Sequence, residues 1–406
     1  MQGREGEELP FFKVGDLGAS DDGETMGAGN HTISRHTADE LRAKVIPTGS
    51  IIYAKIGAAL LLNRRRITNV ECCIDNNLTA FTPKTNQVTS RWAFYWLGTI
   101  DFGKVVNPGA VPSLSEGDQC VLPILVPPIA DQAAIAAFLD RETGKIDALV
   151  AEQERLMALL KEKRSAVISQ AVTKGLNPDA KMKPSGVEWF GEVPKHWDVR
   201  ALAGLVRSGT SITYGIVQAG PDVEDGVPYI RTSDMSGATL PESGYLRTSA
   251  DIAKAYDRSR VEVGDLVIAI RATIGKTLPV PEWLDGANLT QGTAKIAPGP
   301  SVHPGFLLLF LNSSVAGQGF DAMSKGATFK EITLDMLRKF RAPLPPLDEQ
   351  EMIAEQLAIK SSLLDQLASD AESAIALLKE RRAALISAAV TGKIDVRGLT
   401  PAEVAV

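Results

Sequence analysis

Cysteine is nearly missing from this chain: three residues in 406, with Cys72 and Cys73 adjacent and Cys120 alone. That leaves neither a disulfide framework nor the paired spacing of a zinc site, and reduced, partly buried thiols are expected. Histidine is scarce too, and none of His31, His36, His196 and His303 has a second ligand at metal-binding distance in sequence, so no metal is expected. No apolar run approaches the roughly 18 residues of a spanning helix. The longest, Ile51 to Leu62, is interrupted by Lys55. The first residues, Met1-Gln2-Gly3-Arg4-Glu5-Gly6-Glu7-Glu8, lack the basic start and apolar core of a secretory signal, so a cytoplasmic protein is expected. Motifs for nucleotide or methyl chemistry are lacking as well. Gly275-Lys276-Thr277 resembles the end of a phosphate-binding loop, but the glycine required at position 270 is Ile. No Gly-x-Gly-x-x-Gly follows a strand, and Asn107-Pro108-Gly109 lacks the second proline and aromatic of an adenine methyltransferase motif.

An excess of basic residues is also absent. The formal net charge is −6, so any phosphate-binding surface must be local. What is present is ordinary globular usage, 44% hydrophobic and 23% charged, which predicts that most of the chain folds. A chain of 406 residues suits two to four domains.

A repeat organises those domains. Pro127-Pro128-Ile129-Ala130-Asp131-Gln132 matches Pro345-Pro346-Leu347-Asp348-Glu349-Gln350 at a shift of 345 − 127 = 218 residues. The same shift places Leu159-Leu160-Lys161-Glu162 on Leu377-Leu378-Lys379-Glu380 and Ala171-Val172-Thr173 on Ala389-Val390-Thr391. About 21 of 47 positions are identical without a gap, which identifies a duplication. Looser matches join Pro10–Leu17 to Pro228–Met235, Gly49–Ala54 to Gly264–Ala269, Asn77-Leu78-Thr79 to Asn288-Leu289-Thr290, and Gly109-Ala110 to Gly326-Ala327. Nothing before Pro10 answers Gly191 through Gly226, including Trp197 and Leu205. The first domain is therefore read as truncated, through a misplaced start or replacement of the missing piece by the C-terminal tail.

After each Pro-Pro, an acidic residue, Asp131 or Asp348, suits the first turn of a helix. In the first helix Leu139, Ile146, Leu149, Leu156, Leu160 and Val167 recur at coiled-coil spacing, interrupted by Glu142, Gln153 and Lys163. Leu357, Leu364, Leu367, Ala371, Ala374, Leu378 and Leu385 form the counterpart. Each helix should run about 40 residues, on the order of 60 Å. A lone stripe must be buried, and its nearest match is its own duplicate. Pairing across a pseudo-twofold axis would make the two helices antiparallel. The globular parts carry short apolar runs such as Leu266–Ile270 punctuated by Gly and Pro, which reads as α+β. The expected domains are 1–126, a first globular domain; 127–175, a helical spacer; 176–190, a linker; 191–344, a second globular domain; 345–394, a second spacer; and 395–406, a tail.

Basic residues are the candidates for a nucleic-acid surface. Arg64-Arg65-Arg66 form one run, and Lys13, Lys55, Arg231, Arg271, Lys276, Lys325 and Lys330 lie singly in the globular parts. Arg271, Lys276, Lys325 and Lys330 stand beside Gly-rich turns, where backbone and side chain approach a phosphate or base edge together. Thr328 belongs to the same stretch. Lys161, Lys163, Arg164, Lys379, Arg381 and Arg382 cluster on the helices and are read as a solvated face.

Three stretches resemble the DNA specificity subunits of type I restriction-modification systems. They are Pro343–Gln350 with the helix to Thr391, Met182–Trp197, and Gly264–Val267 through Gly275-Lys276 to Gly326-Ala327-Thr328. The resemblance covers nearly the whole chain. It implies a non-catalytic subunit with two target recognition domains, each reading half of a split double-stranded DNA site, and helical spacers that set the gap and dock two methyltransferase subunits. It further implies restriction subunits, translocase and nuclease, as partners, with S-adenosylmethionine, ATP and Mg bound only by those partners and no membrane contact. A self-contained DNA-modifying enzyme and a coiled-coil assembly protein unrelated to DNA are the alternatives.

Overall fold

The computed structural model describes residues 6–18, 23–106, 111–324 and 331–399. Contacts divide the chain into two units, Met1–Glu154 with Glu372–Val406, and Arg155–Ala371. Neither long helix forms a domain of its own, because each packs one half into each unit.

Both units are built alike around an apolar strand whose alternate side chains face opposite ways. In the first unit the strand is Ile51–Ala54: Ile51 and Tyr53 enter one core and Ile52 and Ala54 another. In the second it is Leu266–Ala269, with Leu266 and Ile268 on one side and Val267 and Ala269 on the other. Strand Ile51–Ala54 lies between Arg65–Thr68 and Leu78–Phe81, both antiparallel. Strand Leu266–Ala269 lies likewise between Thr277–Pro279 and Thr293–Ile296. The fourth strand joins opposite edges: Thr25–Met26 pairs with Arg65–Thr68, whereas Thr213–Tyr214 pairs with Thr293–Ile296. A second sheet is common to both. Leu9–Phe12 pairs antiparallel with Thr32–Ile33 and parallel with Cys73–Ile74, as Val227–Ile230 does with Arg247–Thr248 and Asn288–Leu289.

These ladders correct one match made from sequence. Phe11 faces Cys73 where Tyr229 faces Asn288, and Ile51 faces Phe81 where Leu266 faces Ile296. Asn288-Leu289 therefore corresponds to Cys73-Ile74, not to Asn77-Leu78. A shared Asn-Leu-Thr triplet misled because strand register, not local identity, fixes equivalence. Gly109-Ala110 and Gly326-Ala327 lie outside the described residues.

The long helices are Ile129–Lys174 and Leu347–Val390, 46 and 44 residues. Within the first unit Arg382 pairs with Asp147 at 2.8 Å, and within the second Arg164 pairs with Asp365 at 3.4 Å. The duplication maps each pair onto the other, since 147 + 218 = 365 and 164 + 218 = 382. In each unit the two helices are consequently antiparallel. Both pairs are solvent-facing, so each contributes at most about 1 kcal/mol. They report register rather than create it.

Burial along the helices is narrower than the spacing implies. Leu139, Ile146, Leu160, Leu357 and Ala371 are buried, and Val167, Leu364, Ala374, Leu378 and Leu385 are half-buried. Leu149, Leu156 and Leu367 stand exposed. Leu139 and Leu357 gain neighbours from the globular cores, whereas a mid-helix side chain has only the partner helix beside it.

The glutamine repeated after each Pro-Pro ties helix to globular part. Gln132 accepts from the Thr89 N–H at 2.7 Å and donates to the Gln87 and Pro127 carbonyls at 2.8 Å. Gln350 accepts from the His303 N–H at 2.9 Å and donates to the Ser301 and Pro345 carbonyls at 3.1 and 2.8 Å. Both are fully buried, so loss of either strands three polar groups, each costing about 1–3 kcal/mol.

Residues 176–190, expected as a linker, are folded. Met182–Pro184 pairs with Glu192–Pro194, and Val187 and Phe190 enter the second unit's core. Cys72 and Cys73 are buried, but Cys120, expected to be partly so, is exposed.

Candidate nucleic-acid interface

Each unit presents two neighbouring turns at one corner. The first turn follows the strands Leu9–Phe12 and Val227–Ile230. There the Lys13 N–H donates to Asp16 Oδ2 at 2.7 Å and the Arg231 N–H to Asp234 Oδ2 at 2.8 Å, starting a short 3₁₀ helix in each unit. The second turn follows the central strand. It is bridged back by Ile56 to Ser113 in the first unit and by Arg271 to Glu331 in the second. The bridges are equivalent: 113 + 218 = 331.

In the second unit this corner is polar. Arg271 Nη2 donates to Glu331 Oε1 at 2.9 Å, with both side chains well exposed, and Lys276 Nζ donates to the Ser236 carbonyl at 2.9 Å. Lys276 thus ties the turn 271–276 to the turn that begins at Arg231. The backbone is bent there by Ala272 and Gly275 in the left-handed region, φ 59° and 84°. A side chain at 275 would run into the Phe320 ring, so only glycine fits. Arg231 is committed within the protein: its guanidinium forks onto Asp234 at 3.1 and 2.7 Å, and that bonded carboxylate raises its pKa. Glu331 is the first described residue after 325–330. Lys325, Thr328 and Lys330 lie outside the described residues.

The first unit offers a different surface on the same frame. Its second turn is longer, Lys55 to Arg64, and exposes Ile56, Leu61 and Leu62. Lys55 is half-buried, held by backbone bonds to Asn77 and Leu114. Arg64 is exposed and lies against Gly18, at the end of the turn that Lys13 begins. Arg65, on the neighbouring strand, points inward. Its Nε donates to the Phe94 carbonyl at 2.6 Å and its guanidinium lies 4.5 Å from the Phe94 ring centre. Burial first, and the nearby Arg382 charge second, lower its pKa to about 10. Arg66 bonds to the Arg65 carbonyl at 2.8 Å.

The structure therefore gathers Arg271 and Lys276 beside the Arg231 turn, gathers Arg64 beside the Lys13 turn, and draws Arg65 inward. Sequence reasoning missed Ile56, Ser113 and Glu331, whose importance lies in position rather than charge. Their signal was present in the 218-residue shift that relates Ser113 to Glu331. Among the described residues no three His, Cys, Asp or Glu side chains come together as a metal site, and no helix is long and apolar enough to cross a membrane.

A family model described as type I restriction modification DNA specificity domain matches residues 194–367. The chain is similar to the type I restriction enzyme EcoBI specificity subunit of Escherichia coli, 27% identical over 67% of this chain and 58% of that one. It is also similar to a putative MjaX specificity subunit of Methanocaldococcus jannaschii, 24% identical over 79% and 72% of the two chains. Among solved structures, the HsdS subunit from Thermoanaerobacter tengcongensis aligns over 95% of this chain and 91% of that chain, with a TM-score of 0.56 at 18% identity. A chain from a study of complex assembly and conformational transition of the type I R-M system aligns over 95% and 92%, with a TM-score of 0.72 at 17% identity. The match to the EcoBI subunit spans less than two thirds of that protein's length.

Proposed function

We propose that this chain, whose residues 194–367 match the type I restriction modification DNA specificity domain, is the DNA-reading subunit of such a complex, each unit reading one half of a bipartite duplex site. One observation carries this reading: two matching corners on one duplicated framework carry different side chains. Ile56 and Ser113 stand where Arg271 and Glu331 stand. A common frame with different chemistry at one position suits two heads that hold DNA the same way and read different bases. Arg271, Lys276 and Arg64 are the side chains best placed to reach DNA; Arg65 and Arg231 hold the frame.

In this reading the paired helices set the distance between half-sites and dock two methyltransferase subunits, with restriction subunits as further partners of the complex. Apolar side chains exposed at matching positions of both helices, Ile129 with Leu347, Leu149 with Leu367 and Leu159 with Leu377, support such docking. Catalysis, S-adenosylmethionine, ATP and Mg belong to the partners. Inserting one heptad into both helices tests the ruler. The tolerated gap should lengthen while the bases read in each half stay the same, and an unchanged gap would refute it. Methyl transfer to target DNA by the purified chain alone would refute the adaptor role.

A further inference from the structure

The two corners share more than their position. In the first unit the Leu114 N–H donates to the Lys55 carbonyl at 2.9 Å, and in the second the Ile332 N–H donates to the Ile270 carbonyl at 3.0 Å. Leu114 and Ile332 are buried, one in each unit's core, so this bond is anchored from inside. The residues beside it form the bridge, Ile56 with Ser113 and Arg271 with Glu331. The shift of 215 residues that carries Gly49–Ala54 onto Gly264–Ala269 also carries Ile56 onto Arg271, since 56 + 215 = 271. Each backbone therefore delivers two side chains to an equivalent place, and the side chains differ.

In the second unit those side chains are a donor and an acceptor. Arg271 Nη2 donates to Glu331 Oε1 at 2.9 Å, and Arg271 Nη1 and Glu331 Oε2 have no partner among the described residues. The two side chains are 43% and 36% exposed, so a ligand can reach the unused donor and acceptor. A carboxylate fixed beside the guanidinium repels a phosphate but suits a base edge. In the major groove a G·C pair shows the guanine N7 and O6 acceptors beside the cytosine N4 donor, the order that Arg271 and Glu331 complement. In the first unit the bridge holds no charge. Ile56 is 37% exposed, and Val111, two residues from Ser113, is 58% exposed. The Ser113 hydroxyl has no partner among the described residues. An apolar group beside a hydroxyl complements thymine, whose major-groove edge shows the C5-methyl beside the O4 acceptor.

We infer that this bridge is the base-reading pair of each unit: Arg271 with Glu331 selects a G·C pair in one half-site, and Ile56 with Ser113 selects a T·A pair at the equivalent position of the other. The inference rests on the DNA-reading role proposed above and assigns the ligand of each corner. The Arg271 guanidinium takes guanine N7 and O6 while Glu331 accepts from cytosine N4; Ile56 covers the thymine methyl while Ser113 donates to thymine O4.

The test is selection from randomised duplex DNA by the full chain with methyltransferase subunits present, for the unaltered chain and for two exchanges. Ile56→Arg with Ser113→Glu should turn one T·A pair into G·C in one half-site and leave the other half unchanged. Arg271→Ile with Glu331→Ser should turn one G·C pair into T·A in the opposite half. Modified DNA keeps the test independent of whether these variants fold. With the unaltered chain, uracil in place of that thymine should weaken binding about fourfold, the worth of one buried methyl. Replacing that guanine with 7-deazaguanine, which lacks the N7 acceptor, should weaken it about tenfold. Exchanged chains that select the original bases, or binding by the unaltered chain that is insensitive to either replacement at every position, would overturn the inference while the DNA-reading role stands. An unaltered chain with no base preference in either half would overturn that role as well.

Discussion

The second unit pairs Arg341–Leu344 with Asp198–Ala201 and presents charge at its reading corner; in the first, 123–126 has no strand partner among the described residues and the corner presents apolar side chains. Yet the central strands, the register around them and the hydrogen-bond pattern of the glutamine clamps are the same in both. What varies between the copies lies at turns, at the edge that the fourth strand joins and in the extra strand pairs of the second unit. Such positions can change without losing the buried contacts that hold each unit together.

The largest expected break in that comparison comes from Trp197→Ala. It should leave a cavity beside Glu349 and Phe306 in the second unit and cost about 3–5 kcal/mol. Hydrogen exchange by mass spectrometry should show the loss in 155–371 and leave 9–106 unchanged. A comparable loss in both would deny that the units are separate. Next is Gln132→Leu against Gln350→Leu. Each strands an N–H and two carbonyls, so each should cost on the order of 3 kcal/mol or more. Near-equal losses in thermal unfolding sharpen the equivalence; a silent variant in either unit breaks it.

Arg271→Ala should weaken DNA binding by about 1–3 kcal/mol if the guanidinium reaches a base edge, and relax preference in one half-site only. Selection from randomised DNA, with methyltransferase subunits present, reads this directly. Loss spread evenly over both halves would make Arg271 a phosphate contact instead.

Cysteine chemistry offers a smaller effect. Burial first, and the neighbouring Cys73 second, push the Cys72 thiol up to about 12 from its ordinary 9.0. The fold therefore favours the neutral thiol. Its contribution is intact below pH 9 and is lost as pH rises toward about 12. At pH 8 alkylation should label Cys120 quickly and Cys72 only on unfolding; fast labelling of Cys72 would contradict its burial in the first unit's core. Smallest of all is Asp147→Ala, which should cost less than about 1 kcal/mol by denaturant titration.

Much of this was legible in sequence because duplication writes the same packing twice. The helices showed because their apolar positions repeat, and the central strands because Ile51–Ala54 and Leu266–Ala269 are continuous apolar runs. The register of Cys73–Ile74 against Asn288–Leu289 was not legible, since it depends on partners far along the chain. Nor was the reading corner. A search for basic residues picks out Arg65, which turns inward to the Phe94 carbonyl, and passes over Ile56, which holds the place of Arg271. Burial of a charge and exposure of an apolar group are both decided by neighbours the local sequence does not contain.

The most direct measurement is adenine methylation mapping in cells that carry this chain with residues 191–340 replaced by a relative's. Two independent heads predict that one half of the methylated site changes while the other half and the gap between them stay fixed. A change in both halves would contradict that account.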